Sequence, residues 1–387
     1  MPILNRAAEL QDEVKGWRRH LHQHPELMFD VHETARFVEE KLRLFGVDEV
    51  VTGLGRTGVV GVIKGNRGAG ETLGLRADMD ALPIKEATGA SYASKIDGKM
   101  HACGHDGHTA MLLGAAKYLA ETRNFNGTVI VIFQPAEEGG GGGREMVQDG
   151  LMERFGIDRV YGMHNMPNLP VGEFMIRSGA FFAATDQFLI TVKGKGGHAA
   201  MPHQSVDPIV VGAQIVQALQ TIASRNVDPV GSVVVSVTQF NAGKAFNVIP
   251  EAAKIAGTIR TLDADIRSQS EERLKDIAAG IAASFGAQTD VQFWRGYPVT
   301  VNDLNETETA IDNAVSIVGG DKVGRDIDPF MGGEDFAYML EERPGSMILI
   351  GNGDSAGLHH PAYDFNDEII PYGISYWASL AENNRAV

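Results

Sequence analysis

Hydrophobic and polar positions follow two different periods in the first half of the chain. From Val31 to Phe45 the apolar residues recur at helical spacing and stop at Gly46, which predicts a helix ended by a glycine. Uninterrupted apolar runs predict short buried strands, and a second helix is predicted directly after a cysteine- and histidine-rich run. The strands are Gly58–Ile63, Thr72–Leu75, Thr128–Phe133 and Val160–Met163, and the helix is Thr109–Leu119. This alternation predicts an α/β fold.

The pattern changes near Ala183. The elements predicted from there are strand Gln187–Lys193, helix Asp207–Ser224, strands Ser232–Phe240 and Lys254–Leu262, helix Asp265–Phe285 and strand Thr289–Phe293. The order βαββαβ is typical of a ferredoxin-like unit. The α/β pattern resumes after about Pro298, so we expect a catalytic domain of residues 1–182 and 297–387 that is interrupted by an inserted domain of residues 183–296.

The amino-acid composition limits which binding partners and which cellular location are expected. The chain carries 34 basic and 50 acidic residues, a formal charge of -16, which argues against binding to nucleic acid or to anionic membrane surfaces. Its single cysteine excludes an intramolecular disulfide and favours a reducing environment. The sequence shows no secretory signal and no apolar run long enough to cross a membrane. We therefore expect a soluble, cytoplasmic protein.

The run Met100–Thr109 holds the first candidate chemistry. It places the lone cysteine, Cys103, among three histidines, with His105 two residues further on. A thiolate and an imidazole at this spacing can bind one borderline divalent metal such as zinc. Two other interpretations exist, a buried inert thiol and a nucleophilic Cys/His pair. The nucleophilic pair leaves the carboxylates and histidines downstream unexplained.

Glu137 and Glu138 follow the most apolar predicted strand. Neighbouring side chains on extended backbone point in different directions. One carboxylate can therefore bind a metal while the other acts as a general base. Two surface acids in a loop would be the alternative, although the preceding sequence Phe133-Gln-Pro-Ala136 and the following five glycines favour a site.

Each of the remaining candidate histidines, taken alone, could be either a metal ligand or a structural residue. His164 follows a predicted strand, and His359 and His360 precede a proline. His20 and His24 are one helical turn apart, but they lack the glutamate of a His-Glu-x-x-His helix and are better explained as helix-end or pocket-lining residues.

Three polar residues of the inserted domain are equally ambiguous alone. His198 lies on a glycine-rich turn, Asn247 lies in the sequence Phe246-Asn-Val-Ile-Pro250, and Arg260 lies near the end of a predicted strand.

Together these motifs resemble the M20 metallopeptidase family, and within it the amidohydrolase branch of hippurate hydrolases, bacterial N-acyl-amino-acid amidohydrolases and plant auxin-conjugate hydrolases. The resemblance extends from about Trp17 to Asp367. The motifs that carry it are Arg76-Ala-Asp-Met-Asp-Ala-Leu-Pro83, His101-Ala-Cys-Gly-His-Asp-Gly-His108, Gln134-Pro-Ala-Glu-Glu138, Met163-His164, Gly197-His198, Gly332-Gly-Glu-Asp335 and Leu358-His359.

The resemblance implies a zinc-peptidase-like catalytic domain, with a central mixed sheet flanked by helices, and an inserted lid or dimerisation domain. It implies two divalent metal ions per subunit. Zinc is the expected metal, with manganese, cobalt or nickel as alternatives. By position, the metal ligands would be Cys103, His105, Glu138, His164 and His359, whereas His360 occupies a variable neighbouring position.

The resemblance also assigns roles around the metals. Glu137 would be the general base, and His198 would steady the tetrahedral oxyanion, in family members often from a partner subunit. Asn247 and Arg260 match positions that hold the substrate carboxylate. A homodimer or a higher homo-oligomer through the inserted domain is expected.

One position departs from the wider family pattern. The family has His-x-Asp where this chain has Asp78-Met-Asp80, so the usual histidine ligand is absent. The thiolate of Cys103 would compensate for it, as in the amidohydrolase branch. Asp80 would then orient one of the metal ligands without binding the metal itself.

The expected reaction is hydrolysis of an N-acyl amino acid, of the hippurate or N-acetyl type, to a carboxylate and a free amino acid. A dipeptidase and a deacylase of diamino-acid intermediates are alternatives in the same superfamily. A catalytically inactive binding protein is the alternative from another class, and the complete ligand set together with Glu137 argues against it.

Overall fold

The structure, a computed structural model, describes residues 3–386 as two compact units. The first unit comprises the chain up to Gly179, then Val301–Asp328, then the residues from Asp335 onward. The second comprises Ala180–Thr300 and Pro329–Glu334.

Helices and strands alternate through both units. The helices are α1 (Asn5–Gln23), α2 (His32–Phe45), α3 (His105–Thr122), α4 (Gly142–Gln148), α5 (Leu151–Phe155), α6 (Pro208–Leu219), α7 (Ala264–Ser284), α8 (Leu304–Val318), α9 (Ala337–Glu342) and α10 (Ile370–Glu382). Single turns of 3₁₀ helix occur at Pro202–Gln204, Gly320–Lys322 and Asp367–Ile369, and a π turn occurs at Ile222–Asn226.

The strands lie between these helices. They are β1 (Glu49–Leu54), β2 (Gly58–Lys64), β3 (Thr72–Asp78), β4 (Thr128–Gln134), β5 (Arg159–Met166), β6 (Phe174–Met175), β7 (Gly179–Phe182), β8 (Ala184–Lys193), β9 (Gly197–His198), β10 (Val233–Ala242), β11 (Val248–Ile249), β12 (Ala252–Thr261), β13 (Gln288–Arg295), β14 (Thr300–Asn302), β15 (Val323–Gly324) and β16 (Gly345–Gly351).

The first unit is built on an eight-stranded mixed sheet in the order β1-β2-β4-β3-β5-β16-β6-β15. Its four central strands, β4, β3, β5 and β16, run parallel to one another. Every residue of β16 is buried, as expected for a strand that is covered on both faces. Because parallel strands end at a common edge of the sheet, the segments that follow β3 and β4 meet there.

Helices α1, α3 and α10 pack against one another beside this sheet. On α1 the residues Ala7, Leu10, Val14, Trp17 and Leu21 recur at helical spacing, and all are buried. Helix α3 is buried on nearly every side, which explains why its sequence has no polar face. The helix that begins at the cysteine-rich run is therefore enclosed in the core.

The second unit contains a four-stranded antiparallel sheet in the order β10-β12-β8-β13. Helices α6 and α7 pack on it and on each other. Phe188, Ile190, Ile255, Ile215 and Leu274 are among the buried residues of its core. In chain order these elements read β8-α6-β10-β12-α7-β13, the βαββαβ order predicted from the sequence.

The α/β prediction with a central mixed sheet is confirmed, although the limits of several elements differ from the predicted ones. The helix predicted over Asp207–Ser224 ends at Leu219 and is followed by the π turn. There the hydroxyls of Thr221 and Ser224 bond to the carbonyl oxygens of Ala218 and Gln220 and compete with the regular helical pattern.

Strand β5 is longer than predicted. It continues through His164 to Met166 because β16 pairs with it up to Met166. His164 therefore lies within a strand instead of following one. Among the helices of residues 3–386, none combines the length and the apolar character that spanning a membrane requires.

Candidate metal centre

The cysteine-rich run forms a buried loop that leads into the first turn of α3. All residues of Met100–Thr109 are buried. Gly104 has a left-handed backbone with φ of 92° and precedes the helix, which begins at His105. Cys103 thus lies beside the positive end of the helix dipole, where an anionic thiolate is favoured.

Four overlapping groups of ligand-type side chains occur in the first unit. Within each group the potential ligand atoms lie within 4.8 Å of one another. The groups are Cys103/His105/His164, Cys103/Glu138/His359, His105/Glu137/Glu138 and Asp78/His105/His108. The five residues that the sequence predicts as ligands all occur in these groups, and the predicted base Glu137 accompanies them.

The interatomic distances place these side chains at a common point. The Cys103 Sγ atom lies 3.4 Å from His164 Nε2. The Glu138 Oε1 atom lies 3.3 Å from His359 Nε2 and 3.9 Å from His105 Nε2. Elements that are far apart in sequence therefore converge: the loop before α3, the loop after β4, strand β5 and the segment before α10.

Hydrogen bonding fixes the tautomer of His164. Its Nδ1 lies 2.6 Å from the carbonyl oxygen of Asn165, which can only accept, so Nδ1 donates. Burial lowers the pKa of His164 well below its usual value, which keeps the ring neutral. The lone pair of Nε2 is then available on the side that faces Cys103.

The loop that carries Glu137 and Glu138 is held in an unusual conformation. Ala136 has a positive φ of 54°, and a side chain at Gly142 would lie 1.7 Å from the carbonyl oxygen of Pro135. The close approach explains the glycine at position 142, since only glycine fits there.

Asp80 anchors the same loop. Its Oδ1 accepts the backbone N–H of Glu137 at 2.9 Å, and its Oδ2 accepts that of Glu138 at 3.1 Å. Asp80 Oδ1 is also 3.5 Å from His105 Nδ1. One buried carboxylate thus contacts both glutamates and faces one histidine.

The residues fit a divalent cation. Both ring nitrogens of His105 and the Oε1 atom of Glu138 are buried, and within residues 3–386 they have no hydrogen-bond partner. Such atoms are costly to bury unless something else satisfies them. A set of thiolate, imidazole and carboxylate donors is the set that zinc binds in proteins.

The electrostatics of the pocket favour positive charge. Burial lowers the pKa of His105, but the charges of Asp78, Glu138 and Asp80 outweigh it and raise the pKa to about 10. Burial and the neighbouring carboxylates raise the pKa of Cys103 well above its usual value. A divalent cation beside the sulfur reverses this preference, because a coordinated thiol loses its proton.

Several histidines of the chain lie outside this arrangement. His101 is buried, and burial lowers its pKa to about 3, but it belongs to none of the ligand groups. His360 accepts the backbone N–H of Ala362 through Nδ1. His20 and His24 line a separate cavity of about 480 Å³, and His24 Nδ1 bonds to the carbonyl oxygen of His20.

His198 and Asn247 lie together in the second unit. His198 on β9 pairs with Val248 on β11, and the carbonyl oxygen of Asn247 accepts the N–H of Ala199 at 3.1 Å. The N–H of Ala200 donates to His198 Nδ1 at 3.1 Å, which leaves Nε2 to carry the proton. His198 is exposed, so this N–H can donate to a ligand.

Arg260 also belongs to the second unit. It lies on β12, where it pairs with Thr185 and Val234 on the neighbouring strands. Burial lowers the pKa of its guanidinium, and Asp186 opposes that effect.

Two buried networks around the centre were not predicted from the sequence. In the first, Asp335 accepts hydrogen bonds from Arg76, Gln134 and the backbone of Gly143 at 2.7 to 2.9 Å. The available signal was the charged pair Arg76 and Asp335 in otherwise apolar or glycine-rich sequence.

The second network leads away from His105 toward the surface. Asp106 forms an ion pair with Arg18 Nε at 3.0 Å and a hydrogen bond with His22 Nδ1 at 2.8 Å, and His22 Nε2 lies 3.4 Å from Glu86. Burial lowers the pKa of His22, but Asp106 and Glu86 raise it to about 9.

Comparison with known proteins agrees with this architecture. The sequence profile of the family described as Peptidase family M20/M25/M40 matches residues 74–383. Hippurate hydrolase of Campylobacter jejuni is 43% identical over 382 residues, covering 98% of this chain and 99% of that protein. N-acetylcysteine deacetylase of Bacillus subtilis is 40% identical over 370 residues, with 94% of each chain covered.

A solved structure from Bacillus subtilis extends the agreement to three dimensions. It is described as a dinuclear metal binding peptidase from the M20 family. It superimposes on this chain with a TM-score of 0.85 and 37% identity, covering 97% of this chain and 98% of its own.

Proposed function

Because the chain belongs to peptidase family M20/M25/M40, we propose that it hydrolyses the amide bond of N-acyl amino acids to a carboxylic acid and a free amino acid. The chain is a hydrolase that acts on amide bonds. The N-acyl amino acid substrate is supported by the relatives whose names specify hippurate and N-acetylcysteine.

In this proposal two divalent ions, zinc in the first place, are held by Cys103, His105, Glu138, His164 and His359. The overlap of the ligand groups supports two ions, since Cys103, His105 and Glu138 each belong to more than one group. Bound divalent metal supplies Lewis-acid polarisation of the amide carbonyl and a lower pKa for an adjacent water.

Glu137 is the proposed proton carrier. Its carboxylate lies in one group with His105 and Glu138, and Asp80 holds its backbone from behind. In the attack step Glu137 takes a proton from the water that adds to the carbonyl carbon. When the C–N bond breaks, Glu137 returns that proton to the leaving nitrogen, which departs as a neutral amine.

His198 is the proposed donor to the developing oxyanion. Its Nδ1 accepts from Ala200, so Nε2–H is the side that can donate. Asn247 and Arg260 are proposed to bind the carboxylate of the amino-acid part through an amide and a guanidinium. Since these three residues lie in the second unit, this unit is proposed to complete the site as a lid and to mediate a homodimer or higher homo-oligomer.

The domain boundaries and the cellular location are also part of the proposal. Residues 183–296 are proposed as the inserted domain and residues 1–182 and 297–387 as the catalytic domain. A cytoplasmic location is proposed from the lone cysteine.

The observation that carries this proposal is the pair of adjacent glutamates. Glu138 lies in a group with Cys103 and His359, while Glu137 lies with His105 in another. One loop thus offers both a ligand and a base, the two groups that metal-assisted hydrolysis of an amide uses.

A hydrolysis screen tests the proposal. Metal-stripped enzyme is restored with zinc, manganese, cobalt or nickel and assayed on hippurate, N-acetyl amino acids and dipeptides. We expect turnover of acyl amino acids that depends on the added metal. Turnover of dipeptides alone would favour the dipeptidase alternative, and activity that survives metal removal would contradict the proposed centre.

A further inference from the structure

Asn165, directly after the predicted ligand His164, contacts both sides of the metal centre. It lies in the buried strand β5 and is itself fully buried. Its carbonyl oxygen accepts His164 Nδ1–H at 2.6 Å, and its side-chain Nδ2 donates to the carbonyl oxygen of Cys103 at 2.6 Å. One residue therefore connects the backbone of the thiolate ligand with the ring of the imidazole ligand.

The amide of Asn165 is fixed in orientation. Its Oδ1 accepts the hydroxyl of Tyr363 at 2.7 Å, and its Nδ2 also lies 3.0 Å from His108 Nε2. An amide turned by 180° would place its oxygen against the Cys103 carbonyl oxygen, so that two acceptors would face each other without a proton between them. The observed orientation is the one that satisfies all three neighbours.

His108 supports Asn165 and is itself excluded from metal binding. The backbone N–H of Asn165 donates to His108 Nε2 at 2.9 Å. The other ring nitrogen, Nδ1, therefore carries the proton and donates to Asp78 Oδ1 at 2.7 Å. With both nitrogens engaged, His108 cannot serve as a ligand although it lies within the ligand-rich run.

Asp78 is the anchor at the far end of this chain of bonds. Its Oδ2 accepts Arg76 Nη1 at 2.8 Å, and its backbone oxygen accepts the hydroxyl of Thr109 at 2.8 Å. Both carboxylate oxygens thus accept hydrogen bonds from other side chains. The position where the wider family has a histidine ligand is occupied here by a carboxylate that holds another histidine.

The backbone of the cysteine loop is seated directly on this group. A Cβ atom at Gly104 would lie 2.2 Å from Asn165 Nδ2 and 2.6 Å from the Tyr363 hydroxyl oxygen. Gly104 also has a positive φ of 92°. Glycine is required on both counts, so the loop that carries Cys103 is held against the amide without an intervening side chain.

We propose that Asn165 is a positioning residue that fixes Cys103 and His164 relative to each other, and that Asp78 and His108 hold Asn165 in place. The inference rests on the proposed ligands Cys103 and His164. It assigns to Asp78 a supporting role that replaces the ligand role of the histidine found at this position in the wider family. Partners that orient metal ligands change metal affinity when they are altered, even though they do not touch the metal.

The test compares Asn165→Asp with a matched control, Asn302→Asp. Asn302 is also buried in the first unit and fully bonded, through Nδ2 to the carbonyl oxygens of Arg177 and Met347 and through Oδ1 to the N–H of Met347. Both variants replace a buried amide with a carboxyl, and only Asn165→Asp changes the bonds to Cys103 and His108.

We expect Asn165→Asp to bind metal about 10- to 100-fold more weakly than wild type in chelator competition. The cobalt-substituted enzyme should also show a shifted thiolate-to-cobalt absorption band. Asn302→Asp should lose thermal stability only, with unchanged metal affinity and spectrum. A folded Asn165→Asp enzyme with wild-type affinity and band would overturn the proposal.

Two further variants keep the outcome decisive. If Asn165→Asp does not fold, Asn165→Ser retains the backbone contacts and removes only the amide, and wild-type affinity in that variant would overturn the proposal equally. Cys103→Ser tests the ligand set on its own, because it should abolish the thiolate-to-cobalt band of the wild-type enzyme. If the wild-type enzyme has no such band, the ligand set is wrong. If the band is present and the Asn165 variants leave it unchanged, only the role of Asn165 is wrong.

Discussion

The two regions that carry the candidate site residues are built in opposite ways. Around Cys103 and His164 most polar side chains are buried, Asn165 among them, although the predicted ligand His359 is exposed. His198 is exposed on a two-residue strand. In the first region many buried hydrogen bonds hold the side chains in fixed positions. In the second region His198 is a hydrogen-bond donor at the surface of its unit. Changes to the proposed ligands and to Asn165 should alter metal binding, and a change to His198 should alter turnover alone.

Metal removal should produce the largest effect and the sharpest contrast. We expect a chelator to abolish hydrolysis and to increase amide hydrogen exchange in residues 100–109, because the buried donors of that loop lose the cation that satisfies them. The segment Gly197–His198 should exchange at an unchanged rate. Exchange that rises equally in both regions, measured by mass spectrometry, would break the comparison.

His198→Ala should give the next largest effect. Loss of one oxyanion donor typically lowers kcat by about 10²- to 10³-fold, and the metal content should equal that of wild type because His198 belongs to none of the ligand groups. The control is His203→Ala, an exposed histidine on the same segment. Equal loss of activity in both variants, or loss of metal in His198→Ala, would contradict the assigned role.

Glu86 gives the smallest effect and tests how far the buried region extends. Although burial opposes it, hydrogen bonds from His22, Thr88 and the backbone of Ser94 lower the pKa of Glu86 from 4.5 to about 2. Glu86→Gln should therefore lower Tm by roughly 2 to 4 °C, since a hydrogen bond to a charged group contributes about 1.5 to 3 kcal/mol.

The pH dependence of that difference follows from the two pKa shifts. The contribution of Glu86 is complete above pH 4.5 and is lost as the pH falls through about 2. The contribution of His22, whose pKa is raised from 6.5 to about 9, is complete below pH 6.5 and is lost as the pH rises through 9. Differential scanning calorimetry should show the largest difference between pH 4.5 and 6.5. A stability difference between wild type and Glu86→Gln that grows toward low or high pH would contradict the proposed interaction of Glu86 with His22.

Much of the fold could be predicted from the sequence because its patterns are local. The runs at Thr128–Phe133 and Val160–Met163 are buried strands of β-branched and apolar residues, and the βαββαβ order follows from alternating periods. The ends of the helices and strands were harder to predict from the sequence. β5 extends through His164 because β16 pairs beside it, and pairing is not visible in a local pattern.

The ligand-type residues were likewise recognisable, since metals require particular donors, whereas their supports were not. Asp78 and His108 each have the chemistry of a ligand, and only the hydrogen bonds to Arg76 and Asn165 show that their atoms are already engaged. Asn165 is the clearest omission. Its signal was a polar residue inside an apolar strand, but its contacts to Cys103 and His108 join segments about 60 residues apart and depend on tertiary structure.

The most direct test of the account compares Glu137→Gln with Glu138→Gln, two identical changes at adjacent residues. We expect Glu137→Gln to keep its metal and to lose about 10²- to 10⁴-fold in kcat on an N-acyl amino acid, because only the proton carrier is removed. Glu138→Gln should lose bound metal, measured by elemental analysis of the dialysed protein. Near-normal turnover in Glu137→Gln, or equal metal loss in both variants, would contradict the division of this pair into a base and a ligand.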